Sequence, residues 1–309
     1  MDSGRSTPNV QASGVSTPTT APADGSTKGA RICVYCGASP GSKPEHMEMA
    51  RSLARVMAAN NIGLVYGGGT VGLMGELAKT LVSLSGPESV RGIIPEALVK
   101  YERDDTYAST ATLTTLSTNP LAPAAGSTGV PVSGNTPSSL RNGAAETTPA
   151  AEHTNGASSS AKGKSPPDGI TGEDPPGKTL PVPTESIYGL TTVVKDMHTR
   201  KALMAKLVME GGPGSGFLAM SGGYGTLEEL LETCTWSQLG IHDKPICVLN
   251  VNGFFDGLIG WIDKAVSEGF IREGNKNIMS YAETVEDAVL KLREYKVPDS
   301  VFKLQWGTQ

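Results

Sequence analysis

The sequence predicts an α/β fold, a Rossmann-like doubly wound parallel sheet in a single domain interrupted by a long disordered insertion. Short runs rich in Val, Ile and Leu alternate with amphipathic stretches of helical period, and glycine-rich turns stand between run and helix. The third observation concerns size. With 38 glycines, 21 prolines and only 5% aromatic residues among 309, much of the chain has too little apolar side chain to bury, so the folded part is smaller than the chain.

Residues 1–29 are rich in Ser, Thr, Pro and Gly and predict a disordered N-terminal tail. The same composition returns over 106–183, which reads as a low-complexity insertion because a buried loop of that length is improbable. The two remaining pieces, 30–105 and 184–309, total roughly 200 residues, a comfortable size for one domain. Strand candidates in order are Arg31–Cys36, Gly63–Tyr66, Ser89–Ile94, Phe217–Met220 and Pro245–Asn250. Pro44 opens a helix with Met47, Ala50, Leu53, Ala54 and Met57 on one stripe; Leu73, Leu77, Ala78, Leu81 and Val82 mark the next. A further stripe, Val193, Met197, Met204 and Val208, precedes the fourth strand, and Leu227, Leu230, Leu231 and Cys234 follow it.

A formal net charge of −5 and the lack of any long Lys/Arg block exclude a basic surface that tracks a nucleic-acid backbone. No apolar run is long enough for a membrane span, and the first thirty residues lack a signal-peptide core, so a soluble cytoplasmic protein is expected. The four cysteines suit a reducing compartment. Cys33 and Cys36 spell C-x-x-C, but their odd spacing on a strand sends them to opposite faces, and no second pair at zinc spacing accompanies them.

In a doubly wound sheet, ligands bind beyond the carboxyl ends of the strands. The first strand is followed by Gly37-Ala38-Ser39-Pro40, small residues that let a ligand approach the backbone. The second is followed by Gly67, Gly68 and Gly69 and then a helix, a context that can direct backbone N–H groups and a helix N-terminus at an anion. A dinucleotide fingerprint is disfavoured, because Tyr66-Gly67 stands where the ribose-binding acid belongs, and no Walker motif occurs. After the fourth strand, Ser221-Gly222-Gly223-Tyr224-Gly225-Thr226 leads into a helix and predicts a second anion cradle. Thr226 and Glu229 could form a capping box and nothing more. However, Glu228, Glu229 and Glu232 crowd one stretch, and capping asks for only one carboxylate. On the preceding helix, Arg200 and Lys201 interrupt the core-facing arc at 100° per residue, through substrate contact or through snorkelling to solvent. His198 lies on the flank and reads as a surface or structural histidine.

Four segments taken in order, Tyr66 to Gly75, Asp196 to Lys201, Gly222 to Glu229 and Thr235 to His242, resemble the LOG family of cytokinin-activating phosphoribohydrolases, which often carry a lysine decarboxylase label. The resemblance covers essentially all of 30–105 and 184–309. It implies hydrolysis of cytokinin riboside 5′-monophosphates, with AMP as a related substrate, to free base and ribose 5-phosphate, without cofactor or metal. It also implies a homodimer. Carried onto matching positions, it assigns the catalytic pair to Arg200 and Glu229. Substrate contacts fall on Lys201, on the run Gly222, Gly223, Tyr224, Gly225, Thr226, Leu227 and Glu228, on Thr235 and on Glu102. Ser221 stands where the family usually has proline, and the insertion begins close to Glu102. In such a site Glu229 would stabilise positive charge on the ribose and position or deprotonate water, while the always-protonated Arg200 orients ligand and carboxylate. A non-catalytic nucleotide-binding relative is the alternative; a decarboxylase would need pyridoxal phosphate on a Schiff-base lysine, which no signal marks.

Overall fold

β1 (Arg31–Tyr35) lies at the centre of the sheet and is covered on both faces, which is why its RICVY run is apolar at consecutive positions instead of alternating. The computed structural model describes residues 29–101, 107–114, 178–297 and 304. After β1 come α1 (Pro44–Ala59), β2 (Gly63–Tyr66), α2 (Gly72–Ser85), β3 (Val90–Pro95), α3 (Glu96–Tyr101), β4 (Ser109–Thr114) and β5 (Thr179–Val182). The chain continues through α4 (Glu185–Tyr188), β6 (Leu190–Val194), α5 (Met197–Met209), β7 (Gly216–Ala219) and α6 (Tyr224–Gln238). It closes with β8 (Ile246–Leu249), α7 (Asp256–Ser267), β9 (Met279–Ala282) and α8 (Val285–Glu294).

Among the described residues the strands form one sheet in the order β5-β4-β6-β3-β2-β1-β7-β8-β9, parallel throughout except for the antiparallel β4–β5 pair. One apolar layer packs α1, α2 and α8 on one face, and another packs α5, α6 and α7 on the other. Cys33 belongs to the second layer and Cys36 to the first, as their odd spacing requires. From β1 the chain winds outward through β2 and β3, then returns to β1's other side as β7. The crevice between the carboxyl ends of β1 and β7 is therefore the topological switch point, where a ligand can enter between diverging turns.

The five strand candidates are present to within a residue or so at each end. The sheet nonetheless holds four strands beyond them. β4 and β5 lie inside the stretch 106–183 expected to be low-complexity insertion; β4, STATLT, is rich in threonine and only partly covered, and β5, TLPV, buries Leu180 and Val182 beside it. Because β4 runs parallel to β6 and β5 antiparallel to β4, Thr114 and Thr179 both lie at the carboxyl edge of the sheet. β6 takes Val193, which was expected on the following helix, and β9 lines the opposite edge.

Two turns at the carboxyl edge are fixed by close backbone approach. Gly72, with φ of +60°, opens α2 directly against the turn after β1, where a Cβ would stand 2.3 Å from the Ala38 carbonyl carbon. The N–H groups of Leu73 and Met74 then donate to the Gly37 carbonyl, at 3.1 and 3.4 Å. Among the described residues no helix is long and apolar enough to cross a membrane.

Candidate active site

The site is set by where α5 begins. Asp196 stands at its N-cap and accepts a hydrogen bond from the Thr199 N–H at 2.7 Å, a bond that also holds its carboxyl below the ordinary aspartate value. That cap fixes the phase of the helix. Arg200, four residues on, turns toward the sheet and is only 9% exposed, whereas Met197 and His198 in the first turn are exposed. The buried face is thus Arg200, Ala202, Met204, Ala205 and Val208, and Met197 is not part of it.

Space for the guanidinium comes from β2. A Cβ at Gly67 would stand 2.2 Å from Arg200 Nη2, so any larger residue there collides with it. Gly68 has a φ of +79° and lies against Ile93 and Ile94, and Gly69 lies against Met74. The glycine run expected to cradle an anion has a packing role here: its three residues are buried, and the first donors of α2 are directed at Gly37.

α6 supplies the opposing charge. It starts at Tyr224 with Gly223 at its N-cap and no side-chain cap, so the capping box is not formed; Thr226 and Glu229 lie inside the helix on its buried face. That face is Thr226, Glu229, Leu230, Thr233 and Ser237; of the stripe expected from sequence Leu230 is on it, while Leu227, Leu231 and Cys234 are half-buried. Glu229 Oε1 accepts a hydrogen bond from Arg200 Nη2 at 3.2 Å, with Glu229 only 8% exposed. Burial pushes the Glu229 carboxyl above the ordinary glutamate value; Arg200 opposes that, and the like charge of Glu228 adds to it. Arg200 Nε is buried and has no hydrogen-bond partner among the described residues.

The remaining carboxylates form a second cluster. Lys201 Nζ bonds Glu228 and, at 3.0 Å, Glu232. Burial alone would lower the Lys201 ammonium, but these two partners hold it above the ordinary lysine value. Adjacent residues on each helix therefore sort into two clamps, Arg200 with Glu229 inside and Lys201 with Glu228 and Glu232 at the rim. Thr233 ties the inner clamp to the sheet: its hydroxyl donates to the Glu229 carbonyl at 2.8 Å and shares a 2.9 Å bond with Tyr35.

The N-terminus of α6 is the open one. Gly223, Tyr224 and Gly225 are exposed, and a Cβ on either glycine would meet nothing within 4 Å. Gly222 and Gly223 also wall a cavity of about 550 Å³ on the α1 side, together with Ser39, His46 and Phe254. Arg200 and Glu229 do not line that cavity, and chemistry is assigned to the charges. Thr235 is apart from the cluster, exposed, with its hydroxyl bonded to the Leu231 carbonyl of its own helix. Glu102 lies outside the described residues. Sequence reasoning missed the clamping role of Lys201 and Glu232, the Thr233 link and the buried pair of His46 and Ser221. Among the described residues no group of three or more His, Cys, Asp or Glu side chains is placed to hold a metal ion.

Fold and site together define a Rossmann-like α/β protein with a buried Arg–Glu pair and an open helix N-terminus at the switch point of its sheet. A family model described as "Possible lysine decarboxylase" matches residues 146–292. The cytokinin riboside 5′-monophosphate phosphoribohydrolase LOG of Oryza sativa subsp. japonica is 34% identical over 279 residues, 90% of this chain and 78% of that protein. LOG3 of Arabidopsis thaliana is 34% identical over 265 residues, covering 86% and 82%. A bifunctional cytokinin biosynthesis protein of Fusarium pseudograminearum (strain CS3096) is 41% identical over 275 residues; the match takes in 89% of this chain but 42% of that protein, so the chain spans less than half its length. The chain belongs to the LOG family.

Gly67→Ala tests the geometry of the inner clamp. The variant should fold with a loss of about 1–3 kcal/mol, as overpacked sites do. With the guanidinium displaced, the Glu229 carboxyl should titrate at still higher pH in an NMR titration, because Arg200 is what holds it down. An unshifted or lowered titration would show the pair intact.

Proposed function

We propose that the protein hydrolyses the N-glycosidic bond of cytokinin riboside 5′-monophosphates, and of AMP as a related substrate, releasing free base and ribose 5-phosphate. The observation that carries this reading is the buried Glu229 carboxylate, paired with Arg200 and one helical turn inside the open N-terminus of α6. The names of the plant relatives point to the same reaction.

The N–H groups at the start of α6 hold the 5′-phosphate, aided by the helix's partial positive charge. As the C1′–N bond breaks, its electron pair leaves with the base and positive charge develops on the ribose. Glu229 stabilises that charge and takes a proton from the water whose oxygen bonds to C1′, while the departing base takes up one proton from solvent, so that one water is consumed in all. Arg200 keeps the carboxylate oriented through Nη2, while its Nε is buried. Lys201 with Glu228, Tyr224, Thr226 and Leu227, Ser39, Thr235 and Glu102 complete the proposed substrate surround, to which the Gly67–Gly69 run contributes by leaving room for Arg200. A nucleotide-binding protein without turnover is the weaker reading, since holding a phosphate gives no reason to bury a carboxylate beside it.

We assign the activity to 30–105 and 184–309, extended by β4 and β5. Four free cysteines, of which Cys33, Cys36 and Cys247 are buried, suit the cytoplasm. A homodimer fits α6, which turns polar side chains toward the sheet and leaves Leu227, Leu231 and Cys234 half-covered.

Glu229→Gln and Arg200→Ala should each lower base release by about 100-fold or more while circular dichroism stays unchanged. Isopentenyladenosine monophosphate and AMP should be cleaved by the wild type and the unphosphorylated riboside not; near-normal turnover by either variant contradicts the assignment. Glu229 works ionised, and its carboxyl sits above the ordinary value of about 4.3, so kcat/KM should fall as pH drops through that raised value. Glu228→Gln removes a like charge and should move this acid limb to lower pH; an immobile limb assigns it to another group. Sedimentation should give a dimer, and a fully active monomer would contradict this.

A further inference from the structure

Behind the Ser221–Gly223 turn lies a polar contact that the proposed chemistry does not use. Ser221 Oγ and His46 Nδ1 share a hydrogen bond of 3.0 Å, joining the end of β7 to the first turn of α1 across 175 residues. Both residues are buried, Ser221 at 5% exposure and His46 at 8%. A buried hydroxyl and a buried imidazole nitrogen each require a partner, and here each supplies the other's.

The rest of the turn is restrained from β1 through its backbone. The Met220 N–H donates to the Tyr35 carbonyl at 2.9 Å, and the Gly37 N–H donates to the Ser221 carbonyl at 3.0 Å. A Cβ at Gly222 would meet Thr226 Oγ1 at 2.1 Å, so Thr226 closes over the turn from α6. These contacts fix Met220 and the Ser221 carbonyl but leave the Ser221 side chain to α1. His46 has little freedom of its own: Phe254 meets its ring edge-on at 5.7 Å between centroids, and Gly41, with φ of +74°, lies against the ring.

We infer that His46 is a positioning residue: through Ser221 it fixes the Gly222–Gly223 turn, and hence the N–H groups at the start of α6 that hold the substrate's phosphate. The identity of that ligand rests on the phosphoribohydrolase reading; the mechanical tie does not. His46 itself touches no reacting atom. Its loss weakens ligands that carry the phosphate and spares those that lack it.

The full chain is titrated calorimetrically with ribose 5-phosphate and with adenine, alongside steady-state kinetics on the nucleotide. In Ser221→Ala and His46→Ala, Kd for ribose 5-phosphate and KM should rise roughly five- to tenfold, the worth of one buried hydrogen bond, with kcat within about twofold and adenine affinity unchanged. The double variant should be no worse than either single one, and His46→Asn, whose amide can meet Ser221 Oγ, should recover most of the loss. Unchanged ribose 5-phosphate affinity in both single variants, or an equal loss for adenine, overturns the inference. Should His46→Ala not fold, Ser221→Ala, which removes one oxygen, decides the matter. A wild type that binds ribose 5-phosphate but cleaves no nucleotide defeats the hydrolase reading and leaves these affinities to judge His46.

Discussion

The buried contact between Arg200 and Glu229 is the constraint around which the carboxyl edge of this sheet is arranged. Removing two charges from water is unfavourable by several kcal/mol each before their attraction is counted, and a pair at 3.2 Å recovers that only with good geometry. The surrounding residues supply that geometry. Asp196 sets the helical phase that points Arg200 inward, Gly67 gives the guanidinium its space, and the uncapped start of α6 two residues before Thr226 turns Glu229 to the same point. A shift of either helix by one residue would rotate one partner through about 100° and leave a buried charge alone.

The same burial makes the pair chemically useful. An exposed glutamate is a weak base at neutral pH; one held above its ordinary value by burial, but kept from full neutralisation by an arginine, lies nearer the working range of a general base. Lys201 neutralises Glu228 and Glu232 at the rim, which limits how far their repulsion drives Glu229 toward protonation. Three carboxylates within five residues are therefore not redundant: one faces inward to react, and two anchor the cation that shields it.

Much of this was legible in the chain, for identifiable reasons. β1, β2, β3, β7 and β8 are central strands, and burial on both faces writes them as largely apolar runs, broken in β3 by the half-buried Arg91. β5, with TLPV, is the edge strand, where proline is tolerated, and β4, with STATLT, is the half-covered strand beside it, so composition concealed both within a polar stretch. The inward Arg200 was visible as a charge on an apolar arc, although Val193 in that arc belongs to a strand and Met197 to an exposed first turn. On α6 only Leu230 of the expected stripe is fully buried, with Leu227, Leu231 and Cys234 half-buried, because Thr226, Glu229, Thr233 and Ser237 share the inner face. The contact of His46 with Ser221 left no local trace at all; only the folded crossover brings those residues together.

The mixed inner face of α6 has a structural consequence. Leu230 is fully buried there and Leu227, Cys234 and Trp236 pack against the same core, but Thr226, Glu229, Thr233 and Ser237 are buried too and need hydrogen bonds or charge partners. Thr233 reaches Tyr35, Glu229 reaches Arg200, and Glu228 and Glu232 reach Lys201, which places those ties in the middle of the helix. Each tie runs to β1 or α5, the elements on either side of the switch point. The site is thus also the fastening of α6 to the sheet, and the residues that would perform the chemistry are those that keep its helix in register.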